Sequence, residues 1–122
     1  MAQRYDFTID QGTSVGKTIS VFLDGSIFDL TNYNARLFAR EKVYEDPVLE
    51  LYSDELLGSG LSIPTPANGQ VLLSLTSEET AALDFSQAGY NLEIYTVDGE
   101  GADVIVYRVL EGFITLSKEY AK

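Results

Sequence analysis

The chain contains no cysteine, no histidine and no tryptophan, and only three prolines. Without cysteine and histidine there is no disulfide, thiolate nucleophile, Cys/His zinc site, Ser-His-Asp triad or imidazole acid–base pair. The missing cysteine leaves the redox compartment open. Basic residues are scarce as well: 8 Lys and Arg stand against 19 Asp and Glu, a net charge of −11. A nucleic-acid or anionic-membrane surface needs a net basic stripe, so both partner classes are disfavoured. Apolar runs fall far short of the ~20 residues of a membrane span. Met1-Ala2-Gln3-Arg4 leads into Tyr5-Asp6-Phe7, which is not the apolar stretch of a secretion signal. The expectation is a soluble product made in the cytoplasm.

What is present suits one globular domain over residues 1–122, with 45 % hydrophobic and 22 % charged residues. Period-two alternation recurs along the chain. Tyr5, Phe7 and Ile9 share one face; so do Ile19, Val21 and Leu23, and Ala35, Leu37 and Ala39. The same holds for Leu49 and Leu51, for Val71, Leu73 and Leu75, and for Tyr90, Leu92, Ile94 and Thr96. Val104, Val106, Arg108 and Leu110 alternate with Ile105, Tyr107, Val109 and Glu111. Such runs, bounded by turn residues, read as half-buried strands of an all-β antiparallel sandwich, Ig-like or jelly-roll-like. Asp24-Gly25, Asn68-Gly69 and Asp98-Gly99 supply the positive φ of tight reversals. Pro64 and Pro66 belong to a connection. Thr76-Ser77-Glu78-Glu79 is a capping box and predicts one short helix near 77–83. The ends, Met1–Gln3 and Ala121–Lys122, are expected to fray.

No chemical motif stands out. The acidic clusters Glu41/Glu45/Asp46, Asp54/Glu55 and Glu78/Glu79 lack a glycosidase signature and read as solvated surface. Asp98-Gly99-Glu100-Gly101-Ala102-Asp103 lacks the spacing and closing Glu of a calcium loop and reads as a hairpin tip. Gly16-Lys17-Thr18 imitates the end of a phosphate loop, but Gly12 stands four positions before Gly16 instead of five. The following Ile19-Ser20-Val21 alternates as a strand, where a phosphate loop opens a helix. No catalytic residue, metal site or cofactor is expected. Phe22, Phe38, Tyr52, Tyr95 and Tyr107 fall on strand faces that otherwise carry polar residues, and Arg36 and Arg40 share the outward face of Phe38. Two readings stand side by side: scattered exposed aromatics, or a contact face of arginine beside aromatic.

The ordered set of motifs carries a resemblance. Tyr5–Gly12 opens the chain. Asp29-Leu30-Thr31-Asn32-Tyr33 then precedes the strand of Arg36 and Arg40. Ser77, Glu79, Thr80, Ala81 and Leu83 follow, then Gly89-Tyr90-Asn91-Leu92-Glu93, and Val109–Ser117 closes the chain. From Tyr5 to Ser117 the chain resembles the small β-sandwich domain of tailed-phage structural proteins, typified by the N-terminal domain of the lactococcal-phage upper baseplate protein. The resemblance implies that Gly12, Leu30, Tyr33, Leu73, Leu83, Tyr90 and Leu92 define the fold and catalyse nothing. Asn32 stands where the family carries Gly, and Asn also reaches the left-handed region. The implied role is a non-enzymatic virion protein. It would be an adaptor of tail, baseplate or collar that holds a fibre or receptor-binding protein and assembles with copies of itself. The alternatives are a capsid decoration protein and a carbohydrate-binding module, the latter weakened by the missing tryptophan. The chain stops at Lys122, where larger family members continue into a linker, so a full fibre is not expected.

Overall fold

The computed structural model describes residues 2–118; Met1 and residues 119–122, where part of the expected fraying falls, lie outside the described residues. The strands in chain order are β1 (Gln3–Arg4), β2 (Phe7–Asp10), β3 (Val15–Ser20), β4 (Phe22–Leu23), β5 (Ser26–Ile27), β6 (Asn34–Arg40), β7 (Leu49–Tyr52), β8 (Leu61–Ser62) and β9 (Gln70–Leu75). Helix α1 (Ser77–Ala81) follows, and the long strands β10 (Gln87–Val97) and β11 (Asp103–Ser117) close the chain. The fold is an all-β sandwich. The larger sheet runs β1-β11-β10-β6-β7, with β2 also on β11; the smaller runs β3-β9-β8; β4 and β5 form a separate hairpin.

Alternation dictates which side chains enter the core. In β6, Ala35, Leu37 and Ala39 are fully buried while their neighbours are half-exposed. Leu92 and Ile94 of β10 join them from the larger sheet, and Val71 and Leu73 of β9 from the smaller, in one apolar cluster. Phe7 and Ile9 belong to the same cluster, so β2 is tied in by burial as well as by its ladder.

The N-terminal strands β1 and β2 pair in parallel with β11, whereas the other ladders are antiparallel. Strands so far apart in sequence leave no hairpin signal. A second departure lies in β11. Leu92 faces Leu110 but Glu93 faces Arg108, so Val109 is an extra residue, a β-bulge. The bulge turns Val109 and Leu110 both inward, which breaks the uniform alternation expected over 104–111.

The turns follow their residue chemistry with two corrections. Asp24 (φ 53°), Gly25 (φ 79°) and Asn32 (φ 70°) occupy the left-handed region as expected. Asn68-Gly69 is not a hairpin turn; it ends a 3₁₀ turn over Pro66–Asn68, with Gly69 as its left-handed cap. In the 98–103 tip the positive φ sits at Gly101, not Gly99. The capping box at Thr76 is formed: Glu79 N donates to Thr76 Oγ1 and Thr76 N donates to Glu79 Oε1. The helix stops at Ala81, so Leu83 packs against the core from the loop beyond it.

Candidate functional site

Residues paired across an antiparallel ladder share a face. On the side of the larger sheet away from the core, Tyr52 faces Arg36, Arg36 faces Glu93, and Glu93 faces Arg108. The neighbouring row sets Tyr95 opposite Asn34 and Val106. Arg36, Phe38, Arg40, Tyr52 and Tyr95 are thereby brought to one face.

Contacts on this face alternate guanidinium and ring. The Arg36 guanidinium lies 4.4 Å from the Tyr95 ring centroid; its Nε donates to Glu93 (2.9 Å) and its Nη2 to Asp103 (3.0 Å). Arg40 stands 5.7 Å from the Phe38 ring, and Phe38 meets Tyr52 edge-on at 5.6 Å. Arg4 lies over Phe113 at 5.2 Å. Loss of hydration works against the Arg36 charge, but the hydrogen bonds it donates to Asp103 and Glu93, with their negative charge, outweigh it and raise its pKa. Desolvation, followed by the nearby Glu50 carboxylate, raises the Tyr52 hydroxyl above its usual value. Beside the ladder, an open groove of about 400 Å³ is bordered by Arg4, Arg40, Lys42 and Arg108 with Phe113, Glu41 and Glu111. Five of the chain's eight basic residues (these four and Arg36) thus gather on one side of an acidic molecule.

Three of the seven expected contact residues are placed differently. Tyr95 belongs to this face but is 1 % exposed, because Arg36 lies over its ring; it supports the surface and does not present itself. Among the described residues its hydroxyl has no hydrogen-bond partner. Tyr107 is on the opposite side of the sheet, half-exposed against Phe28 (5.9 Å) and Tyr33 (6.5 Å). Phe22 belongs to the β4–β5 hairpin and not to the larger sheet. Arg4, Phe113 and Arg108 join the face unannounced, because β1 reaches it through a parallel pairing and Arg108 through the bulge.

The fold-defining residues act structurally. Leu30, Leu73, Tyr90 and Leu92 are buried, and Tyr33 packs edge-on against Phe28. The Tyr90 hydroxyl donates to the Tyr5 carbonyl (2.5 Å) and its ring meets Phe7 edge-on at 5.3 Å. The Gln11-Gly12 pair holds the helix: Gln11 Nε2 donates to the Leu83 carbonyl (3.1 Å), and Gly12 N donates to the buried Thr80 hydroxyl (3.0 Å).

Gly16-Lys17-Thr18 lies within β3, so its backbone is extended and does not open a helix. At the 98–103 tip, Asp98 Oδ1 accepts from Glu100 N (2.8 Å) and Ala102 N (3.0 Å). Those backbone donors lower the Asp98 pKa and occupy its carboxylate within the turn. No helix among the described residues is long and apolar enough to cross a membrane. No protein-family model and no curated protein matches the chain.

Proposed function

We propose that the chain is a non-enzymatic structural protein of a tailed-phage virion, an adaptor of tail, baseplate or collar that holds a fibre or receptor-binding protein. The observation that carries this reading is the arginine–aromatic ladder on the open face of the larger sheet. Arginine and aromatic side chains concentrate binding energy at protein interfaces. Here the rings are held by Arg36, Arg40 and each other, so they meet a partner already ordered. The groove sets Arg4, Arg40, Lys42 and Arg108 against only Glu41 and Glu111, a local basic strip that suits carboxylates of a protein surface at contact range. The ordered motifs from Tyr5 to Ser117, read as a sandwich of phage structural proteins, supply the virion context. The partners are other virion proteins and copies of this chain; nucleic acid and membrane are not among them.

Mass spectrometry of purified phage particles, split into heads and tails, tests this. Recovery with tails at a few copies per particle is expected. Recovery with heads at hundreds of copies identifies a decoration protein instead, and absence from both fractions contradicts the virion reading.

A further inference from the structure

The outer edge of β11 is occupied only in part. β1 pairs at Leu110 and Glu111 and β2 at Ile114–Ser117, while among the described residues no strand pairs with the outer edge from Asp103 to Arg108. That stretch reads Asp-Val-Ile-Val-Tyr-Arg, and its four apolar residues are 39–62 % exposed. Its charges, Asp103 and Arg108, stand at its two ends and its irregularity at Val104, so Ile105–Tyr107 is regular and uncharged and holds no proline or glycine. Other edges of the sandwich are managed: β3 carries Gly16 and Lys17 mid-strand, and Tyr52 of β7 donates its N–H to the Ser59 carbonyl. An exposed apolar edge without a partner strand is a template for a further strand.

We propose that this edge pairs with the same edge of a second copy of this chain, antiparallel about a two-fold axis at Val106, joining two larger sheets into one. Charge selects the occupant and the register. A two-fold axis normal to the sheet keeps each side chain on its own face, so facing residues are an even number of positions apart. With Val106 on the axis, Ile105 faces the partner's Tyr107, a favourable β-branched–aromatic pair. Val104 faces the partner's Arg108. The irregularity between Thr96 and Val97 leaves Val104 as an extra residue, so Asp103 stands beside it on the outward face. The partner's Arg108 therefore arrives next to Asp103, and the reciprocal pair forms across the axis. Among the described residues Arg108 has no ion pair of its own. Moving the axis to Tyr107 sets Asp103 opposite the partner's Glu111, two like charges. Moving it to Ile105 sets Arg108 opposite Ala102, outside the strand. This pairing deepens the reading of an adaptor that assembles with its own copies, and names the surface it uses.

The chain has no cysteine, so a single substitution gives a unique thiol. Facing residues of an antiparallel pair have Cα atoms about 4.5–5.5 Å apart, within disulfide reach. Val106→Cys should form a covalent dimer under mild oxidation at least ten times faster than Val104→Cys, whose copies lie about 13 Å apart along the strands. Equal rates, or no covalent dimer, overturn the register. Sedimentation of the unmodified chain should show a dimer, which Val106→Lys weakens at least ten-fold while circular dichroism stays unchanged. A monomer at every concentration tested overturns the pairing itself. It does so even for a chain recovered from virions, so failure here is distinct from failure of the virion reading.

Discussion

Tyr90 shows how one residue links the N-terminal segment to the body of the sandwich. Its ring is in the core and its hydroxyl donates to the carbonyl of Tyr5, at the junction of β1 and β2. Tyr90→Phe keeps the ring and removes the donor, and urea unfolding should show a loss of about 1 kcal/mol. The hydroxyl also links stability to pH. Desolvation, with the nearby Tyr5 and Asp6, raises the Tyr90 pKa above its ordinary value of 10. The unfolded chain therefore releases this proton first as pH rises. The contribution is fully present below about pH 10 and is lost as pH climbs toward the folded-state pKa. The wild type should lose stability in that window more steeply than Tyr90→Phe, and parallel pH profiles would contradict the assignment. Tyr90 and Leu92 were legible because period-two alternation put them inside. Tyr95 departs from the expectation at the same scale: it does point outward, but Arg36 lies across its ring and removes it from solvent.

At the scale of elements, the short helix depends more on its seat than on its own turn. Five residues are too few to sustain an isolated helix. Thr80, fully buried, accepts from Gly12 N and donates to the Thr13 carbonyl (2.7 Å), fixing α1 to the turn after β2. Thr80→Val strands both backbone groups and should cost about 2 kcal/mol. Thr76→Ala loses an exposed cap and should cost about 1 kcal/mol. Thermal unfolding of the two variants ranks them, and the reverse order would contradict this account. The capping box was legible because its signal is local, four consecutive residues. The Val109 bulge was not, since inserting one residue reverses the faces on either side without any change of composition. The parallel seating of β1 and β2 on β11 was hidden too, because its partners lie more than 100 positions apart. Gly112 belongs with that hidden pairing: a Cβ there would collide with the Tyr5 carbonyl.

Over the whole molecule, charge and shape work together. An acidic chain gathers five of its eight basic residues on one side, and three of them, Arg4, Arg36 and Arg40, lie over aromatic rings there. The sequence marks Arg36, Phe38, Arg40 and Tyr52 as one outward set, because they follow from alternation within β6 and β7. It does not mark Arg4, Arg108 or Phe113, which arrive through long-range pairing and the bulge. The proposed contact surface is thus a composite face that only the folded chain assembles.

Hydroxyl-radical footprinting of intact particles against the isolated chain tests that placement most directly. Phe38 and Tyr52 should be oxidised several-fold less in the particle, while Tyr44, 99 % exposed in the loop after β6, should react alike in both. Equal oxidation of Phe38 and Tyr52 in the two samples would contradict the claim that this face holds the partner.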